Sequence, residues 1–202
     1  MSARPVLLAT NNAGKRAEFA LLLPDIAFVT LRDVGIDDLA EPHADYVSNA
    51  AAKAREASRR SGLAALADDS GLAVDALGGA PGVFSARFGG GHGDDAANRA
   101  RLLASLQGVS APRRGARFRC VLALADEGGP LAGRVIIAQG TVEGAIALAA
   151  RGRGGFGYDP LFIPLGDTRT LAELEEREKN ARSHRGAAVR AMAPSLRAYA
   201  RG

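Results

Sequence analysis

The stretch "PVLLATNNAGKRAEFALLLPDIAFVT", residues 5–30, decides the fold class. It opens on a short apolar run, residues 5–9, that reads as a buried strand, and passes through the small polar turn Thr10-Asn11-Asn12. It then enters a helix over 13–23 that sets Phe19, Leu22 and Leu23 along one side. A second apolar strand follows at 26–30. The first turn of the helix is anomalous. Unsatisfied N–H groups put about half a positive charge at a helix start, so acidic side chains are favoured there and a cation is repelled. This helix instead begins with Gly14 and Lys15, and glycine weakens a helix by about 1 kcal/mol relative to alanine. Something other than helix stability accounts for the pair.

Outward from this stretch the same alternation continues. An irregular acidic segment reaches about residue 44, and an alanine-rich helix runs from Asp45 to Ser61. "GLAALADDSGLAVDAL", residues 62–77, predicts a strand at 63–67 and another at 72–76, with Asp68-Asp69-Ser70-Gly71 as an acidic turn between them. A glycine-rich loop, "GGAPGVFSARFGGGHGDD", leads to a helix capped by Asp94 or Asp95 with Leu102, Leu103 and Leu106 on one side. Strands over 116–125 and 131–143 are joined by "DEGGP" as a hairpin. "RGRGGFGYDPLFIP", residues 151–164, is a loop entering a short strand. "TLAE" at 170–173 has capping-box spacing, and the last helix starts near Ser183 and ends about Tyr199. Helices alternating with strands predict an α/β protein with a mixed sheet, and no repeat or linker divides residues 1–202, so a single domain is expected.

Composition narrows the function. The 202 residues are 47% hydrophobic and 24% charged, ordinary for a globular protein. Cys120 stands alone, which excludes an internal disulfide, and its place in "RFRCVLAL" makes it a small core residue. The run Val6 to Ala9 is too brief for a signal-peptide core and no stretch approaches membrane-spanning length, so a cytoplasmic location and no membrane partner are expected. The net charge of +4 is dispersed among few aromatics, which argues against a nucleic-acid partner. Of 26 basic residues only Lys15, Lys53 and Lys179 are lysine. A compact ammonium suits a phosphate oxygen where a planar guanidinium does not fit.

Two motif matches are rejected. "GRGGFG" satisfies G-x-G-x-x-G but is followed by Tyr158-Asp159-Pro160 and a strand, whereas a dinucleotide fingerprint must open a helix. Gly14-Lys15 is followed by Arg16 and lacks the earlier glycine of a P-loop. The segment "EKNARSHRGAAVRAM" repeats the opening puzzle, for a helix capped by Ser183 would carry His184 and Arg185 in its first turn. A bound anion or an electron-rich carbonyl at such a tip would reverse the sign of the effect. Acidic counterparts are Asp68, Asp69 and Glu41. Adjacent aspartates in extended chain point to opposite faces, so only one of Asp68 and Asp69 can serve a given cleft. Carboxylates opposite lysines suit Mg²⁺ shared with substrate phosphates. His43, His92 and His184 lack metal-ligand spacing, which argues against zinc.

At this point four segments, "TNNAGK", "ADDSGLAVDALGGAPGVFSAR", "GGFGYDPLF" and "EKNARSHRG", resemble in order and spacing the inosine/xanthosine triphosphate pyrophosphatase family. The likeness runs from about residue 6 to the last helix. It implies an elongated mixed-sheet α/β protein with two lobes and a central active-site cleft, forming a homodimer. The activity implied is Mg²⁺-dependent hydrolysis of nonstandard purine nucleoside triphosphates (ITP, dITP, XTP) to the monophosphate and pyrophosphate. By matching motif, the loop Thr10, Asn11, Asn12, Ala13, Gly14 and Lys15 would hold the triphosphate, with Lys53 near the phosphates. Asp69 would be the catalytic base and a metal ligand, and Glu41 the second ligand. Ser70, Phe156, Gly157, Tyr158, Asp159, Lys179, His184 and Arg185 would contact nucleotide. Two positions depart from the family pattern. Asn11 stands where bacterial relatives often have glycine, and Ser48 in "DYVSNA" where an acid is common. The rival readings are a pyrophosphatase for a pyrimidine or other modified triphosphate, a noncatalytic nucleotide sensor and an arginine-rich nucleic-acid binder.

Overall fold

The computed structural model describes residues 4–91 and 93–202, so His92 lies outside the described residues. The opening stretch folds as read. β1 (Val6–Leu8) leads into α1 (Ala13–Leu22) and then β2 (Phe28–Thr30). There follow α2 (Tyr46–Ser61), β3 (Ala64–Val74), α3 (Asp95–Ser105), β4 (Gly115–Ala125), β5 (Val135–Ile146), β6 (Phe162–Pro164), α4 (Glu176–Arg182) and α5 (His184–Arg201). One six-stranded sheet has the order β2-β1-β3-β4-β5-β6. β1 pairs parallel with both β2 and β3, aligning Val6 with Phe28 on one side and Ala64 on the other, while β5 and β6 are antiparallel. The mixed α/β sheet is the expected class.

The chain forms two compact units. One comprises the chain up to Asp69 with Cys120–Gly140 and Gly186–Gly202; the other is Ser70–Arg119 with Thr141–Arg185. In the first, each central strand sends alternate residues to two hydrophobic clusters. Val6 and Leu8 of β1, Ala64 and Leu66 of β3, and Cys120, Leu122 and Leu124 of β4 pack with Phe19 and Leu23 near α1 and with Ala188, Val189, Met192 and Leu196 of α5. Leu7, Ala65, Ala67, Val121 and Ala123 face the other way, onto Ala50, Ala54 and Ala57 of α2. Small alanines on both surfaces let helix and strand backbones approach closely. The second unit has its own core, in which Leu72, Val74, Phe118 and Phe162 from strands meet Leu102 of α3 together with Leu106, Tyr158 and Leu161. Arg114, 5% exposed, donates to the carbonyls of Leu106, Val109 and Ala147, which absorbs its buried charge and caps the end of α3.

Two expectations are corrected and one unanticipated helix is added. Residues 68–71 form no turn: β3 runs unbroken from Ala64 to Val74, because its residues are buried almost throughout and the sheet ladder, not an aspartate side chain, satisfies the backbone. β5 begins at Val135 rather than 131, since successive turns bond Ala132 N–H to the Gly129 carbonyl and Arg134 N–H to the Leu131 carbonyl. A short helix, α4, precedes the last one and is separated from it by extended Ser183. The "TLAE" capping box forms, with Thr170 and Glu173 bonding reciprocally, but it closes a single 3-10 turn. Among the described residues no helix is long and apolar enough to cross a membrane.

Leu66 is completely buried and Leu165 is 78% exposed. Leu66→Ala is expected to cost about 2–5 kcal/mol in chemical unfolding, and Leu165→Ala less than about 0.5 kcal/mol.

Candidate active site

The first cluster of polar groups is built where β1 ends. Thr10 Oγ1 accepts the Asn12 N–H at 3.2 Å, and Asn12 Oδ1 accepts the Lys15 N–H at 2.9 Å, which makes Asn12 the N-cap of α1. The amide of Asn11 donates to the Asp37 carbonyl at 2.5 Å. The cap places Ala13, Gly14 and Lys15 in the first turn, and the Lys15 ammonium forms an ion pair with Asp68. A carboxylate from β3 therefore neutralises the cation that a helix start repels.

Strand alternation places the rest. Asp68 follows Ala64 and Leu66 onto the α1 and α5 side, where its second oxygen lies 3.1 Å from the Cys120 thiol. Asp69 follows Ala65 and Ala67 onto the α2 side. There Lys53, 6% exposed, donates to Glu41 Oε1 at 2.5 Å and to the Asp68 carbonyl at 2.7 Å. The Asn49 side chain grips the loop that carries Glu41, accepting from His43 N–H at 2.9 Å and donating to its carbonyl at 3.1 Å. Asn49 also hydrogen-bonds Asp69.

Asp69 is 4% exposed, and its Oδ2 is a buried atom with no hydrogen-bond partner among the described residues. Burial pushes its carboxyl up to about 6, with the negative charge of Glu41 adding to the rise; Lys53, Lys15 and the Asn49 bond oppose it. Among the described residues no group of three or more metal-ligating side chains forms a closed cage. The hard oxygens of Glu41 and Asp69, one of them unsatisfied, fit instead a Mg²⁺ that keeps waters and takes further oxygens from a phosphate.

The second cluster lies in the second unit. Arg185, 2% exposed, donates to Ser70 Oγ at 2.9 Å and stands 5.7 Å from the Phe156 ring centroid. Lys179 approaches the same ring at 5.4 Å and pairs with Asp159 Oδ2 at 3.1 Å, and that oxygen also accepts the Phe156 N–H at 3.1 Å. A half-buried aromatic face thus has two cations close to it. His184 stacks on Phe118 with ring centroids 4.6 Å apart and planes 10° from parallel. Gly155 has φ +69°, and a Cβ there would come within 2.0 Å of the Asp159 carboxylate. Tyr158 differs from its neighbours, for its ring belongs to the core and its hydroxyl donates to the Ser85 carbonyl at 2.9 Å.

The structure thus gathers Lys15, Glu41, Lys53 and Asp69 in one unit, and Ser70, Phe156, Asp159, Lys179, His184 and Arg185 in the other. Sequence reasoning missed Asn49, Asp95 and Arg99. Asp95 accepts the Gly157 N–H at 2.7 Å and Arg99 donates to the Gly157 carbonyl at 2.8 Å. No local pattern marks them, since their partner lies more than fifty residues away along the chain. For Asn49 the only signal was an amide within "DYVSNA" near the start of a helix.

The profile of the Ham1 family matches residues 6–195. This chain belongs to the Ham1 family. A relative from Methylococcus capsulatus, described as a dITP/XTP pyrophosphatase, is 50% identical over 204 residues, covering 98% of this chain and 99% of its own. A HAM1 protein from Coxiella burnetii has a solved structure that superposes with a TM-score of 0.86 at 41% identity, covering 96% of this chain and 99% of that one. A solved dITP/XTP pyrophosphatase from Mycobacterium abscessus has a TM-score of 0.74 at 46% identity, over 94% of this chain and 99% of its own.

Because the folded pKa of Asp69 is about 6, above the unfolded value of about 3.9, ionised Asp69 opposes folding. Its contribution favours the fold below about pH 4 and is lost as the pH rises through about 6. Asp69→Asn is therefore expected to stabilise the metal-free protein at pH 7.5 by about 1–3 kcal/mol, with the gain vanishing near pH 4. Paired thermal melts across pH check this.

Proposed function

We propose that this Ham1 family member hydrolyses nonstandard purine nucleoside triphosphates, ITP, dITP and XTP, to the nucleoside monophosphate and pyrophosphate, using Mg²⁺. The observation that carries the reading is Asp69, a buried carboxylate with an unsatisfied oxygen and a raised pKa, set among Glu41, Lys53 and Lys15. That environment is what a general base needs, since a base works best when its pKa approaches the working pH. The Methylococcus and Mycobacterium relatives, both dITP/XTP pyrophosphatases, support dITP and XTP as substrates of this chain.

The chain's own residues divide the work. Lys15, held at the head of α1 by Asp68, and Lys53, held by Glu41, present ammonium protons to phosphate oxygens. Asp69 orients a water and takes its proton as the oxygen attacks the α-phosphorus. The bond to the bridging oxygen breaks, and pyrophosphate leaves intact. Glu41 and Asp69 would hold a Mg²⁺, which when bound would supply neutralisation of the negative charge that grows on the leaving group. The purine stacks on Phe156, and His184 and Arg185 donate hydrogen bonds to its 6-oxo group. Adenine carries an amino group there, so donor would meet donor and a buried bond would be lost.

A panel of triphosphates incubated with the protein and Mg²⁺ tests the reading. Pyrophosphate is the expected product from ITP, dITP and XTP, with kcat/KM at least about a hundredfold above that for ATP. Release of orthophosphate, or turnover of pyrimidine triphosphates alone, would refute it. Asp69→Asn is expected to lower kcat by about 10²-fold or more while circular dichroism remains that of the parent; near-normal turnover would remove Asp69 from the chemistry.

A further inference from the structure

The loop that carries Phe156 is fastened from a helix that the proposed reaction does not use. Gly157 is held on both sides of its residue, its N–H by Asp95 Oδ2 at 2.7 Å and its carbonyl by Arg99 Nη1 at 2.8 Å. Asp95 and Arg99 are four apart in α3, so they share one helix face a turn apart. Asp95 is not occupied as the helix cap, because Asp94 does that work by accepting the Ala97 N–H at 2.9 Å. Both bonds pair an ionised side chain with a backbone group, the stronger kind of hydrogen bond. Gly157 has φ +60°, a left-handed conformation that glycine adopts without strain and that lets both its polar groups turn toward α3.

The same helix holds a second loop. Asn98 accepts the Gly89 N–H at 2.6 Å and donates to the Ala86 carbonyl at 3.2 Å. A Cβ on Gly89 would lie 2.5 Å from the Ala97 carbonyl carbon, so that loop is pressed against α3. Tyr158 then ties the two loops together through the Ser85 carbonyl at 2.9 Å. The backbone on either side of Phe156 is therefore fixed, by Asp159 on its own N–H and by α3 on the residue that follows.

We propose that Asp95 and Arg99 are positioning residues, which set the Phe156 ring for stacking by gripping Gly157 from α3 and so govern affinity for the purine end of the substrate. This rests on the nucleotide reading given above. Neither residue touches the reacting atoms, and their effect should fall on base binding rather than on chemistry.

The test uses the full-length protein with Asp95→Ala, Arg99→Ala and Asp95→Asn. Three readouts are taken: steady-state kinetics on ITP with Mg²⁺, inhibition by inorganic tripolyphosphate, and calorimetric titration with inosine monophosphate. Asp95→Ala and Arg99→Ala are expected to raise KM for ITP about five- to tenfold, with kcat within about twofold, and to weaken inosine monophosphate by the same factor. Inhibition by tripolyphosphate should be unchanged. Asp95→Asn, whose amide oxygen can accept the same N–H, should recover most of the lost affinity. Unchanged inosine monophosphate affinity in both alanine variants overturns the proposal, as does an equal loss of tripolyphosphate inhibition, which would mark general damage. Should Asp95→Ala fail to fold, Arg99→Ala and Asp95→Asn decide the matter. A parent protein that binds inosine monophosphate but releases no pyrophosphate from ITP overturns the hydrolase reading alone, and the titrations still judge the loop. A parent that binds neither overturns both.

Discussion

Two consecutive aspartates in a straight strand must face opposite sides of the sheet, and in β3 that geometric fact distributes the acid chemistry of the protein. Asp68 goes to the α1 side, where it meets Lys15 and the Cys120 thiol. Asp69 goes to the α2 side, toward Asn49, Lys53 and Glu41. Had the chain turned at these residues, both carboxylates would have been solvated and neither would feel the burial that raises the Asp69 pKa. The alanine-rich faces of β3 and α2 serve the same end, because close packing of small residues excludes the water that would otherwise screen the charge.

The three lysines form a consistent set. Lys15 pairs with Asp68, Lys53 with Glu41 and Lys179 with Asp159, and their side chains are only 16%, 7% and 6% exposed. Arginine dominates among the other cations, as in the exposed pair of Arg197 with Asp25, whose contribution is screened by water. An ammonium is a point charge that can be held by one carboxylate oxygen in a narrow space, whereas a guanidinium needs a planar arrangement of acceptors. The two cationic helix starts are reconciled in the same local manner. Lys15 turns to a strand carboxylate, and Arg185 turns to the Ser70 hydroxyl and the face of Phe156.

Glycine has a pointed role in the loop that carries Phe156. At Gly155 a side chain would strike the Asp159 carboxylate, which holds both Lys179 and the Phe156 N–H. Of the glycines that imitate a dinucleotide fingerprint, Gly152 and Gly154 make room for the backbone at Ala172 and Gly157 takes φ +60°, so the pattern serves a folded loop and opens no helix.

Much was decided by sequence alone. The apolar run at 5–9, the capped helix after it and the strand beyond required an α/β layer, since each segment's periodicity allows one way to bury its apolar face. The long motifs likewise carried the resemblance to the family whose profile matches residues 6–195. Tertiary structure decided what periodicity does not encode. "DDSG" has the composition of a turn, yet the sheet's ladder and two flanking helices override that local preference and keep β3 straight. α4 has few apolar residues to announce it. The grips of Asn49 on His43 and of Asp95 and Arg99 on Gly157 join side chains to backbone groups, and backbone groups are the same at every position in a chain, so no residue pattern can point to them.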